Sequence, residues 1–461
     1  MTEAEIARYP VEPTGGGGPA ALRRAAGRMR QIGQSRPGQA MGRRWPVGCV
    51  ALEVTQRCNL DCALCYLSDH SEAVRDLPLA ELFRRIDMIA RTYGPHTDVQ
   101  VTGGDPTLRN RAELVAIVRR IADRGMRPSL FTNGIRATRE LLAELAAAGL
   151  VDVAFHVDMT QGRHGYDSEV ALNAVRADYI GRARGLGISV MFNTTVFAGN
   201  MAEIPDVVRF FTRQADVVDL ASFQLQADTG RGVLRAREAV VSQSSVVAAI
   251  ECGAGGRLSF DVLSGGHSAC NRYAAALVAN GRAYDLFDDR DFILRVFEMT
   301  RDLPYPRGDR RRFLRAQLAW IARHPAEWPR IAAWAGRKFW QMRLDLVAGR
   351  GRVGKISFFV HNFMDACRLE RDRVDGCVFM VATDEGPLSM CLHNARRDQH
   401  ILKALRVPTA DGVGYWDPLS GEIDAAPGLT SRPGEVPEKR RKGRLNPPSR
   451  PRSLAGSRVR R

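Results

Sequence analysis

The chain has 461 residues, 45% of them apolar, and a net charge of +16, enough for two or three domains around a sizeable core. No apolar run reaches the ~18 residues of a membrane span, and the first residues, with Glu3, Glu5 and four glycines from Gly15, lack the apolar stretch of a secretory signal. Nine cysteines, an odd number, fit a reducing cytoplasm better than a disulfide framework.

Residues 1 to about 45 read as disordered or loosely ordered. From Val47 a βα alternation begins. Strands are expected over Val50–Val54, Asp98–Thr102, Pro128–Thr132, Asp152–His156, Ser189–Thr195 and Val218–Gln226. Helices are expected between them. One runs from Pro78 to Arg91, with Leu79, Leu82, Ile86 and Ile89 on one stripe. Others cover Arg111–Arg124 and Arg139–Ala148, the latter closed by Gly149. Six βα units imply an α/β fold with a parallel sheet and right-handed crossovers. The core then spans 46–230. A substrate-side connection follows over 231–305, basic amphipathic helices over 306–352, a second cysteine-bearing region over 353–404 and a basic disordered tail over 405–461.

The loop after the first strand reads Cys58-Asn-Leu-Asp-Cys62-Ala-Leu-Cys65-Tyr66. Three thiolates this close in sequence suit one corner of an iron–sulfur cube, and an ordinary cube takes four Cys. Three ligands therefore leave one iron open, as a catalytic zinc keeps an open position. A structural zinc site and a chance triplet are the alternatives. A zinc site usually brings a second C-x₂-C half, and none follows. The second strand ends at Thr102-Gly103-Gly104-Asp105-Pro106, where two glycines let the backbone approach a ligand. Other strand ends carry Asn133, the pair His156 and Asp158, Asn193 with Thr195, and Gln224. Each has an ordinary structural alternative; Asn133-Gly134, for one, is a common turn pair.

Over roughly residues 48–230 these motifs resemble the radical S-adenosylmethionine (SAM) enzymes. The resemblance implies a partial (β/α)6 TIM-like barrel with its sites at the carboxyl ends of the strands. It implies a 4Fe–4S cluster on Cys58, Cys62 and Cys65 whose open iron chelates SAM, and reductive cleavage of SAM to a 5′-deoxyadenosyl radical. Gly103, Gly104, Asp105 and Pro106 look like the family's Gly-Gly-Glu-Pro segment, with Asp105 holding the SAM ammonium on a shorter arm. Asn133, Asn193, Thr195 and Gln224 are the further SAM contacts expected, and His156 and Asp158 face the substrate. An external one-electron reductant such as a flavodoxin or ferredoxin is implied as partner.

A second group, Cys367, Cys377 and Cys391, lies in a short C-terminal segment, with Thr383-Asp384-Glu385-Gly386 as the turn of a hairpin between the last two. Cys270, beside Gly266 and His267, is the best fourth ligand for an auxiliary 4Fe–4S cluster. Zinc binding and scattered core cysteines are the alternatives. The arrangement resembles radical SAM enzymes with C-terminal auxiliary clusters. One branch is the SPASM/twitch group, which mostly modifies peptides. The other is the tetraether lipid synthase-like group, which His361-Asn362-Phe363-Met364-Asp365 and Thr229-Gly230-Arg231 resemble more. The expected function is hydrogen abstraction from an unactivated carbon, of a lipid or other apolar chain; a peptide maturase and a non-enzymatic iron–sulfur electron carrier are the alternatives.

Between Arg310 and Gly349 the chain is basic and rich in tryptophan. Either its helices cap the barrel with aromatics inward, or the face carrying Trp320, Trp328, Trp334 and Trp340 with Phe313 and Phe339 lies in a membrane interface. From Lys439 to Arg461 there are ten basic residues and no acid. A solvated tail, an anionic membrane surface and nucleic acid are three readings. No specific nucleic acid is expected, because aromatics for stacking are missing there. The expected location is cytoplasmic, with peripheral contact to the inner face of a membrane.

Overall fold

A computed structural model describes residues 48–232, 241–263, 265–300, 310–409 and 412–426. The N-terminal segment 1–45 and the basic stretch after Lys439 lie outside the described residues.

All six expected strands form. They are β1 (Cys49–Thr55), β2 (Asp98–Gly103), β3 (Arg127–Thr132), β4 (Asp152–His156), β5 (Ser189–Val196) and β6 (Val218–Leu225). Each pairs in parallel with the next. Apolar runs such as Cys49–Val54 suit strands covered on both faces, and all seven residues of β1 are buried. The helices α1 (Leu79–Tyr93), α2 (Arg111–Asp123), α3 (Arg139–Ala147), α4 (Asn173–Ala183) and α5 (Ile204–Arg213) alternate with them. Each turns an apolar stripe to the sheet, as Leu82, Ile86 and Ile89 do in α1. Phe155, Phe192 and Phe211 stack in series at 5.6 and 5.1 Å between β4, β5 and α5.

The parallel sheet is wider than six strands, which corrects the expected domain limits. After α6 (Gln243–Ala254), the hairpin β7 (Asn271–Ala279) and β8 (Arg282–Asp285) joins the same sheet, with α7 (Arg290–Met299) following it. Beyond the helices α8 (Arg310–Arg323) and α9 (Trp328–Ala348), β9 (Gly354–His361) adds in parallel to β6. Then α10 (Arg371–Asp375) leads to β10 (Phe379–Thr383), which adds in parallel to β1. The order is β10-β1-β2-β3-β4-β5-β6-β9, eight parallel strands. β7 lies antiparallel outside β9, and β11 (Gly386–Ser389) antiparallel outside β10. The rims of this curved sheet approach through aromatic rings: His361 of β9 lies 4.5 Å from Phe379 of β10 between ring centroids. Strands β7 and β8 of region 231–305 and β9, β10 and β11 of region 353–404 therefore belong to the same sheet as β1–β6.

Two further expectations change. The disordered tail does not begin at 405. After α11 (Met390–Ala395) and α12 (Arg397–Ile401), β12 (Leu405–Thr409), β13 (Gly412–Trp416) and β14 (Ile423–Asp424) form a small antiparallel sheet. Leu405, Val407 and Trp416 supply its core. In the basic stretch, Trp320 is buried and stacks on His324 at 4.2 Å, and Trp334 stacks on Phe292 at 5.7 Å. Of the four tryptophans of this stretch, Trp328 and Trp340 are exposed.

Candidate functional site

The cysteine loop leaves the carboxyl end of β1 and is pinned from several sides. Cys58 N–H donates to Glu72 at 2.9 Å, and Ala63 N–H donates to the Thr160 carbonyl beyond β4 at 2.7 Å. The β2 end passes directly over the loop: Gly104 N–H donates to Thr55 O and Asp105 N–H to Arg57 O, both at 2.8 Å. A Cβ on Gly104 would stand 1.9 Å from the Arg57 carbonyl oxygen, so only glycine fits. Tyr66 O–H donates to Gly103 O at 2.6 Å, which ties the aromatic after Cys65 to the same glycine turn.

The thiols of Cys58, Cys62 and Cys65 act on one another electrostatically. Burial, Asp105 and Cys65 push the Cys58 thiol up to about 12, and burial with Cys65 and Cys58 raises Cys62 well above the ordinary thiol range. Free thiolates are thus costly here, and a cationic partner would relieve that cost. Among the described residues, Arg231 stands beside them as a cation. Arg231, on the segment after β6, has its guanidinium pKa pulled down by burial and raised by the thiolates of Cys65 and Cys58, which win. Its backbone is fastened to the loop by Arg231 N–H to Leu67 O at 2.7 Å and Gly232 N–H to Cys65 O at 2.9 Å. Among the described residues, no three His, Cys, Asp or Glu side chains are grouped to hold a single metal ion. Three half-buried thiols that raise one another's pKa beside Arg231 fit a cluster with three thiolate ligands.

Asp105 is used differently from the expectation. Its carboxylate accepts from Thr107 N–H at 3.0 Å, Thr107 O–H at 2.5 Å, Thr132 O–H at 2.9 Å and Asn133 N–H at 2.8 Å. It is 1% exposed. It braces the β2 and β3 ends. Pro106 starts the short turn that Asp105 caps. Asn133 reaches the cysteine loop, donating to Asn59 at 2.6 Å with Cys58 Sγ 3.9 Å away.

His156 and Asp158 meet at 2.6 Å at the end of β4. Asp158 also accepts from Thr160 N–H, Thr160 O–H and Thr195 N–H, the last at 2.8 Å from β5. Burial opposes its ionisation, but His156, Thr160 and Thr195 hold its carboxyl well below the usual range. Burial lowers His156 and Asp158 raises it, with the raising effect larger. Beside this pair, Asn193 is level with His156 across β4 and β5, and Thr195, Gln224 and His361 form one row across β5, β6 and β9. The pair is held by Glu169 and Arg176, which the sequence did not single out. Their fully buried ion pair measures 2.5 Å. Arg176 also donates to Val157 O at 2.9 Å, and Glu169 accepts Met159 N–H at 2.8 Å.

A second cleft of about 320 Å³ lies where the β9 and β10 rims approach. Cys270, Cys377, Cys391, His361 and Arg373 line it. Arg373 donates to Cys270 Sγ at 3.3 Å and to Asn362 O at 2.6 Å. Burial and Cys377 raise the Cys391 thiol, and burial outweighs Arg373 in raising Cys270. Burial and then Arg373 lower His361 to about 3. The expected partner Cys367 is not among the residues lining this cleft.

Residues 52–211 match the model of the radical SAM superfamily. The chain carries a radical SAM domain. It is 26% identical over 186 residues to the 7,8-dihydro-6-hydroxymethylpterin dimethyltransferase of Methanocaldococcus jannaschii, covering 39% of this chain and 36% of that one. It is 29% identical over 181 residues to the PqqA peptide cyclase of Bradyrhizobium diazoefficiens (38% and 46%). It is 31% identical over 183 residues to a protein of Pyrococcus abyssi named "Probable GTP 3',8-cyclase" (39% and 58%). The chain therefore spans between about a third and three fifths of the length of these relatives. Among solved structures, Streptococcus suis SuiB bound to S-adenosylmethionine matches with a TM-score of 0.36 at 12% identity, over 44% of this chain and 45% of that one.

Proposed function

We propose that this radical SAM protein cleaves SAM reductively and takes a hydrogen atom from an unactivated carbon of a lipid or other apolar chain. The observation that carries the chemistry is the trio Cys58, Cys62 and Cys65 under the Gly103-Gly104 backbone and against Arg231. These thiols would hold a 4Fe–4S cluster, which when bound supplies one electron, drawn from an external reductant such as a flavodoxin or ferredoxin, to split SAM into methionine and a 5′-deoxyadenosyl radical. The chain's residues do the rest. Gly103 and Gly104 bring backbone polar atoms to the amino-acid end of SAM. Asn133 and the row Thr195–Gln224 offer polar groups to its ribose and base. The His156–Asp158 pair keeps a fixed charge distribution at the barrel mouth. Cys270, Cys377 and Cys391 would hold an auxiliary 4Fe–4S cluster, with Arg373 offsetting the charge of its thiolates.

A peptide substrate is the second reading, favoured by the likeness to a protein named a peptide cyclase. The two separate by isotope. With perdeuterated acyl lipid as substrate, the lipid reading expects deuterium in the released 5′-deoxyadenosine. Unlabelled 5′-deoxyadenosine with lipid, and label only from a deuterated peptide, would favour the second.

A further inference from the structure

Helix α9 carries large apolar side chains on its outer face as well as on its inner one. Its buried side chains are Lys338 and Met342. Lys338 is held inward by Asp288 at 2.6 Å and by the Asp285 carbonyl. Turning about half a revolution brings Trp340, Leu344 and Val347 to the surface, 65, 74 and 80% exposed, with Phe339 beside them at 64%. Leu314 and Leu318 stand outward in the same way on α8, 56 and 64% exposed. A helix folding onto a core alone would place these residues inward.

Charge accompanies this face. From Arg311 to Ala348 there are eight basic and two acidic residues. Both acids are engaged elsewhere: Glu327 pairs with Arg295 at 2.6 Å, and Asp345 bonds Tyr284 and Asn280 of the β7–β8 hairpin. Arg311, Arg315 and Arg343 stay exposed among the apolar side chains, Arg343 lying 4.1 Å over the Trp340 ring. The outward surface is therefore aromatic, aliphatic and cationic together.

We propose that this face of α8 and α9 docks on an anionic lipid surface. Apolar side chains enter the headgroup boundary, and the arginines neutralise lipid phosphates and carboxylates at its level. A second copy is a poor occupant, because a twofold contact sets the same arginines against themselves. The chain's own terminal segments are poor occupants too. Residues 439–461 carry ten basic residues and no acid, and residues 1–45 carry more basic residues than acidic ones. This inference is independent of the cysteine chemistry, and its test needs no turnover.

Full-length protein is sedimented with vesicles of phosphatidylcholine alone or with added phosphatidylserine, beside the variant Trp340→Ser/Leu344→Ser/Val347→Ser. The expected result is capture by the anionic vesicles, weaker capture by the neutral ones, and a loss of about tenfold or more in partition for the variant. The variant's unfolding midpoint stays close to that of the parent, since these side chains are largely exposed and Trp340 meets Arg343 of its own helix. Three results overturn the proposal. The parent ignores anionic vesicles at low salt. The variant binds as well as the parent, which leaves the binding to other basic segments. Or sedimentation velocity shows a dimer that the variant abolishes while neither protein binds vesicles, which makes the face a contact between copies.

Discussion

Arg397 and Glu53, 344 residues apart, form a two-pronged buried ion pair, with Arg397 Nη1 on Glu53 Oε2 at 2.9 Å and Nη2 on Oε1 at 2.8 Å. The guanidinium also lies 4.7 Å over the Tyr66 ring, and Tyr66 O–H holds Gly103 O. The C-terminal helix α12 therefore reaches the glycine turn and the cysteine loop through one planar cation. Burial opposes the ionisation of Glu53, but Arg397 overcomes it and lowers the carboxyl to about 2.

Removing Arg397 leaves buried Glu53 with its Gln56 hydrogen bond but without its ion-pair partner. Arg397→Met should cost about 3–5 kcal/mol in stability, the range for breaking one side of a buried pair. The double variant Arg397→Met/Glu53→Gln should recover part of it. Urea unfolding of the three proteins measures both. Because the folded pKa of Glu53 is depressed, its contribution is present above the ordinary Glu value of ~4.3 and is lost as pH falls through about 2.

The His156–Asp158 pair has two edges in pH. Asp158 is depressed, so its share of stability is lost as pH falls below the ordinary Asp range. His156 is raised, so its share is complete below the ordinary His value of ~6.5 and fades as pH rises through its folded value. His156→Gln should flatten the alkaline limb of a stability–pH curve and also weaken the acid limb, because His156 helps to hold Asp158 down. An unchanged alkaline limb would place that titration elsewhere.

Asp105→Ala should act first on folding. It strands the N–H groups of Thr107 and Asn133 and the hydroxyls of Thr107 and Thr132. Each buried orphan costs about 1–3 kcal/mol, so the unfolding midpoint should fall well before any ligand is added. If stability is unchanged and only SAM affinity drops in calorimetry, the carboxylate contacts the ligand directly.

The second cleft predicts a division among four cysteines. After anaerobic reconstitution, Cys270→Ala, Cys377→Ala and Cys391→Ala should each lower bound iron, and Cys367→Ala should leave it at the parent level. Equal loss in all four would bring Cys367 into the site.

The reach of the sequence follows the range of the interactions. Six strands were legible because each is an apolar run bounded by turns, and the cysteine loop because its spacing is local. β7 was missed: Tyr273-Ala-Ala-Ala-Leu277 carries no two-residue alternation, and its strand character comes from pairing with β9, more than seventy positions away in the chain. The hairpin of β10 and β11 was readable from Thr383 and Gly386, but its attachment to β1 was not. Asp105 was read as a ligand because Thr132 and Asn133 reach it only once β3 lies beside β2. Arg231 stood in a recognised tripeptide, yet its approach to the thiols needs the chain to cross back over the loop at Gly232.

The central claim is SAM cleavage at Cys58, Cys62 and Cys65. Anaerobically reconstituted protein, given SAM and dithionite, should release 5′-deoxyadenosine, and the triple variant Cys58→Ala/Cys62→Ala/Cys65→Ala should release none while keeping the iron of the second cleft. Release of 5′-deoxyadenosine by the triple variant at the parent's rate would contradict the assignment.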